Sequence, residues 1–135
     1  MTEVDLQKSF IEEFKSLSFV EDNNVAYPNR PFAKPQRKTW FEVYFLSDPP
    51  KEAGICEDSQ NRYTGIFQID ICTPLGQGET KSNKFYKEIA KKFNRDTYFS
   101  DISVLRCYRA IQKAEEDCFR TVIRIEWTAD IDKEK

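Results

Sequence analysis

The chain has 135 residues, with 33% charged and 39% hydrophobic side chains and a formal net charge of -2. That composition suits a soluble globular fold of residues 1–135 as a single domain, and excludes a disordered or membrane-embedded one. There is no histidine, which removes imidazole acid/base relays and His-ligated zinc.

Residues 3 to 19 space Leu6, Phe10, Phe14 and Leu17 by 4, 4 and 3, one face of a helix. Thr2 is placed to cap it. Val25-Ala26-Tyr27 reads as a short strand. Pro28, Pro31 and Pro35 then forbid a helix or central strand, because each fixes φ and removes a donor. This loop carries Arg30, Lys34, Arg37 and Lys38 with no acid.

Thr39 to Ser47 alternates Phe41, Val43 and Phe45 against Trp40, Glu42, Tyr44 and Leu46, a half-buried strand stopped by Asp48-Pro49-Pro50. The loop to Asn61 is acidic, with Asp48, Glu52, Glu57 and Asp58 against Lys51. Arg62 to Cys72 is a second strand, with Phe67, Ile69 and Ile71 on one side. Gly65 inside it signals a bulge or a close backbone approach. Pro74, Gly76 and Gly78 mark a turn. A helix follows from Glu79 to Phe93, with Phe85, Ile89 and Phe93 inward and five lysines elsewhere. Ile102–Ile111 and Cys118–Thr128 form a hairpin around Ala114-Glu115-Glu116-Asp117, and Asp130–Lys135 reads as a frayed tail. The expected fold class is α+β. It is a two-layer sandwich, a mainly antiparallel sheet of four to five strands with two helices on one face.

Chemical signatures are few. Cys56, Cys72, Cys107 and Cys118 contain no C-x-x-C pair, so they read as reduced thiols rather than a zinc site. Gly76-x-Gly78 lacks the rest of a phosphate-binding fingerprint. No apolar run is long enough for a membrane span. Asp70 stands in an otherwise apolar strand, and Glu42 could join it in a carboxylate site. The basic loop beside Phe32 and Trp40 could track a nucleic-acid backbone, but it is short in an acidic chain. Neither a metal, a cofactor nor a catalytic residue is expected. Charge is instead segregated. Residues 1–22 carry net -4 and residues 79–96 net +3, which allows weak attraction within the chain or head-to-tail stacking of copies.

The run Arg62-Tyr63-Thr64-Gly65-Ile66-Phe67-Gln68-Ile69-Asp70-Ile71, followed by Pro74-Leu75-Gly76-Gln77-Gly78-Glu79 and a helix ending at Phe93, resembles the tail terminator (tail completion) proteins of long-tailed bacteriophages. Asn29-Arg30-Pro31-Phe32 and the strand ending in Asp-Pro fit the same pattern. The resemblance implies a structural, non-enzymatic protein of the virion tail, assembled in the bacterial host cytoplasm. It implies a ring, commonly a hexamer, that caps the tail tube, stops its polymerisation and offers a surface to the head–tail connector. Other readings stay open: a head–tail joining or minor tail protein, or a ligand-binding domain or enzyme with a carboxylate site. The expected partners are further copies of the chain, the tail tube protein and the connector, with no membrane and no specific nucleic acid. From exposed, charged backbone, the expected contact residues are Arg30, Lys34, Arg37, Lys38, Lys51, Glu52, Glu57, Asp58, Arg62, Glu115, Glu116 and Asp117.

Overall fold

A computed structural model describes residues 3–28, 30–35, 37–52 and 60–132. The chain order is α1 (Glu3–Lys15), β1 (Val25–Ala26), β2 (Trp40–Ser47), β3 (Lys51–Glu52), β4 (Gln60–Thr73), α2 (Thr80–Lys92), β5 (Tyr98–Phe99), β6 (Ile102–Ala114) and β7 (Phe119–Asp132). The strands make one seven-stranded sheet in the order β1-β2-β4-β7-β6-β5, with β3 also paired to β4. Every pairing is antiparallel except β1 with β2.

This architecture corrects the expected two-layer sandwich of four to five strands. The sheet has seven strands and curls into a half-barrel, although the two helices are as expected. The extra strands, β3 and β5, are two-residue pieces too short to show an alternation. The curl has a geometric cause. Phe10 of α1 lies 6.0 Å from the Phe45 ring on β2 and 5.2 Å from the Phe99 ring on β5. Those strands are four steps apart in the sheet, roughly 19 Å if it were flat. Both rings can touch one phenylalanine only if the sheet bends around it.

Phe10 also stacks on Phe67 of β4 at 4.8 Å and meets Trp127 of β7 at 5.7 Å and Phe93 at 6.1 Å. Leu6, Phe10 and Phe14 of α1 are fully buried, as are Ile89 and Phe93 at the end of α2. The sheet answers with Phe41, Val43, Phe67, Ile69, Ile71, Ile123, Ile125 and Trp127, the alternate residues of β2, β4 and β7. A bridge from Lys92 to Glu13 (3.4 Å) ties the oppositely charged helices, but both groups are a third exposed, so it adds little.

Several boundaries move. The first helix ends at Lys15 rather than residue 19, and Leu17 and Phe19 pack on the core from the turns beyond it. The Thr2 cap lies outside the described residues. Strand β7 continues to Asp132, because Asp130 and Asp132 pair with Arg62 and Gln60 of an equally long β4. Residues 130–132 are therefore ordered strand, not frayed tail. Long neighbouring strands rescue each other's polar ends, which no alternation pattern announces.

Gly65 is a close approach. A Cβ there would stand 2.0 Å from the Leu46 carbonyl oxygen and 2.9 Å from the Trp127 ring. Gly76 and Gly78 have φ of 80° and 72°, the left-handed turn that glycine allows.

Two substitutions test this core. Phe10→Ala removes the shared ring and should cost about 3–5 kcal/mol in a chemical denaturation curve. Gly65→Ala should be destabilising by more than about 2 kcal/mol, because the obstacle is backbone.

Candidate functional site

The helices cover one face of the sheet. The other face carries the residues of opposite alternation: Glu42 and Tyr44 of β2, Gln68 and Asp70 of β4, Arg120 and Arg124 of β7. Register puts Glu42 beside Asp70, and Cys72 beside Arg120. Arg120 is the hub. Its guanidinium donates to Asp70 at 2.7 Å, Glu42 at 2.8 Å and Glu115 at 2.5 Å. Its side chain is 15% exposed and that of Asp70 is 6%. Gln68 also donates to Asp70 (2.9 Å), and the Tyr44 hydroxyl donates to Glu42 (2.6 Å).

Electrostatics follow the burial. Desolvation pushes the Asp70 carboxyl above the usual carboxylate range, while the Arg120 and Gln68 hydrogen bonds pull it back. Burial and then the hydrogen bond to Glu42 push the Tyr44 phenol up. Arg120, held by Glu42, Glu115 and Asp70, stays charged throughout. A largely buried guanidinium facing three carboxylates is a structural lock, since each charge compensates another's lost hydration. Asp70 and Glu42 are thus brought together, as a carboxylate site requires, but both are engaged by the same cation.

The thiols fit that reading. Cys72 and Cys118 are buried together with Trp40, with Phe32 packed on them. Burial raises both thiols, and Cys107 is pushed up to about 12. A reactive cysteine needs the opposite shift. The three described cysteines are free; Cys56 lies outside the described residues. Glu115, Asp117 and Cys118 place one ligand atom each within 4.8 Å of one another. Each carboxylate there already faces a cation, Arg120 or Lys34.

Of the contact residues expected from sequence, the structure joins two groups. Lys34 of the basic loop donates to Asp117 of the hairpin tip at 2.8 Å and lies over the Trp40 ring at 5.2 Å. Pro35, Arg37 and Lys38 line a small hollow with Pro74, Leu75, Asp117 and Cys118. The loop therefore folds across the sheet end and seats on the tip. Arg37 takes φ of 58° to do so. Arg30 sits apart, over the Tyr27 ring at 5.7 Å. Glu115 belongs to the Arg120 lock and also bonds Lys113 at 3.4 Å, and Glu116 is exposed at the tip.

The acidic loop forms a second group. Lys51 and Glu52 pair in register with Arg62 and Asn61. Arg62 grips Asp130 with two bonds, 2.9 and 3.1 Å. Glu57 and Asp58 lie outside the described residues. Sequence reasoning passed over Arg120 and Asp130. A lone aspartate in an apolar strand demands a cation, and that demand was the available signal for Arg120. Among the described residues, no helix is long and apolar enough to cross a membrane.

Three comparisons bear on this chain. A family model described as phage tail terminator protein matches residues 5–127. Seven chains of solved structures match in fold. One of them covers 100% of this chain and 99% of its own length, with a TM-score of 0.71 at 15% identity, a likeness of fold alone. No curated protein matches in sequence.

Arg120→Met should strand Glu42 and Asp70 without their cation and cost about 3–5 kcal/mol at pH 7. The Asp70 carboxyl is already raised, so the deficit should shrink as pH falls and it takes a proton; denaturation curves at several pH values check this. The pairs at the tip lose their contribution in the same pH direction. Lys34 lowers the Asp117 carboxyl and Arg120 lowers that of Glu115. Groups depressed on folding contribute above the usual carboxylate range and lose that contribution as pH falls below it. The Lys34–Asp117 contact should therefore weaken below about pH 4, read as a loss of hydrogen-exchange protection in the basic loop relative to the intrinsic rate at each pH, and Asp117→Asn should show the lower protection already at neutral pH.

Proposed function

This chain belongs to the phage tail terminator protein family, and from that premise we propose that it ends the tail. The family is structural, and membership makes the protein a bacteriophage tail component. In the proposed role, copies of the chain assemble in the host cytoplasm into a ring, a hexamer, on the last layer of the tail tube. The ring stops further polymerisation and offers its outer surface to the head–tail connector. The chain acts as one domain spanning residues 1–135, in keeping with one continuous core that draws on both helices and most of the sheet.

The observation that carries this reading is the family match over 5–127, nearly the whole chain. The sheet face supports it. Its charged groups are neutralised in a lock rather than left poised for chemistry, as suits a rigid assembly part. The seated basic loop, the hairpin tip and the paired residues Lys51, Glu52 and Arg62 are the proposed partner surfaces. They are charged and peripheral, and such rims steer association and set register.

Addition of the purified protein to polymerising tail tube protein of the same phage tests the role. Electron microscopy should show shorter tubes with a ring at one end. An unchanged length distribution with bare tube ends would sink the proposal. Substitution of Arg62 by Glu should weaken end binding while the fold, read by circular dichroism, persists.

A further inference from the structure

Both lateral edges of the curled sheet are open. On one side β1 covers β2 only at Phe41 and Glu42. After β2 come Pro49 and Pro50, which have no amide donor. Between these, Val43–Ser47 pairs with β4 alone among the described residues. On the other side β5 covers β6 only at Ile102 and Ser103. The Val104 amide and carbonyl then bond Thr97 and Asp96. From Leu105 to Ala114, β6 has β7 as its strand neighbour among the described residues. Unpaired edges are templates for another strand.

Of the seven exposed large apolar side chains among the described residues, four stand on these same strands, the others being Val4, Leu75 and Tyr98. Tyr44 (41%) and Leu46 (58%) are on β2, and Leu105 (47%) and Ile111 (45%) are on β6. The charges on the two edges are opposite. Arg106, Arg109 and Lys113 stand on β6, and no acid lies between 105 and 114. Glu42 and Asp48 flank the open part of β2. Within one copy Arg106 already pairs with Glu126, Lys113 with Glu115 and Glu42 with Arg120, so charge acts mainly against a second β6, while the open stretch of β2, Val43–Ser47, carries none.

Side-chain order matches as well. On the face away from the helices, β6 presents Arg106, Tyr108, Ile111 and Lys113, opposite Glu126, Arg124, Val122 and Arg120. On the same face β2 presents Glu42, Tyr44 and Leu46, followed by Asp48. Laid antiparallel over the open stretch, Ile111 falls by Tyr44 and Tyr108 by Leu46, with Lys113 and Arg106 beyond its two ends. The irregularity between Arg109 and Ile111 absorbs the one extra residue of β6. Direction agrees too. Three successive antiparallel pairings make β2 and β6 of one chain run oppositely. Rotation about an axis along the strands therefore brings a neighbour's β2 antiparallel to this β6. Such a contact uses two different patches and can close a ring.

We infer that β6 of one copy pairs with β2 of the next over Val43–Ser47, joining the sheets of neighbouring copies around the ring. The inference rests on the ring proposed above and supplies its contact.

Cysteine cross-linking tests it, with Cys56→Ser to remove a background thiol. Leu46→Cys and Tyr108→Cys are made as separate variants, mixed, bound to tube ends and mildly oxidised. Cross-strand neighbours come close enough for a disulfide, so a mixed dimer is expected, identified by its cross-linked peptide. The double variant should give a ladder that stops at the ring's subunit number. Adding Ile111→Lys should reduce that ladder at least about tenfold with an unchanged melting temperature. Rings on tube ends without the mixed product overturn the strand pairing and leave the ring intact. A Leu46→Cys homodimer without the mixed product overturns it in favour of a two-fold contact. Bare tube ends, with protein that stays monomeric at high concentration, overturn ring and pairing together.

Discussion

One phenylalanine sets the shape of this molecule. Phe10 projects from the middle of α1 and contacts rings on β2, β4, β5 and β7, and on the residue that ends α2. A flat sheet cannot satisfy those contacts at once, so the sheet wraps the helix. Aromatic side chains suit the task. They bury large areas and tolerate the tilted and edge-on geometries that a curved surface imposes. The glycine at 65 is the complementary concession, an absence of side chain where the β2 carbonyl and Trp127 close in.

Wrapping leaves the outer face without a cover. Its middle holds charged residues that water can only partly reach, and Arg120 resolves the problem by pairing Asp70, Glu42 and Glu115 together. The same cation reaches from the strand interior to the hairpin tip. The tip in turn holds Lys34 and seats the proline-rich loop over Trp40 and the two buried thiols. A chain of charge pairs thus runs from the sheet centre to its end. The consequence is rigidity at a surface where Glu42, Asp70, Glu115 and Asp117 are each engaged by a cation.

That outcome accords with the family. A tail terminator acts through surfaces, and its fold can be shared at 15% identity because a wrapped helix demands apolar rings and alternation rather than particular residues. Assembly demands something narrower: open backbone edges, with side chains that favour one partner over a copy of themselves. The two edges here differ in charge and agree in apolar spacing.

The sequence by itself determined the helices, the two central strands and the last hairpin, because each has a hydrophobic period of 3.6 or 2 that one element can display alone. It also marked Gly65 as a bulge or a close approach and grouped the basic residues of the loop. The family was legible from the Arg62–Glu79 run. Tertiary structure decided the rest. Strands of two residues have no period to read. The extension of β7 to Asp132 depends on a partner strand of equal length. The curl depends on which rings meet across four strands. The Arg120 lock depends on residues 42, 70, 115 and 120 becoming neighbours. Sequence alternation places a side chain on a face, but only strand register says what stands beside it.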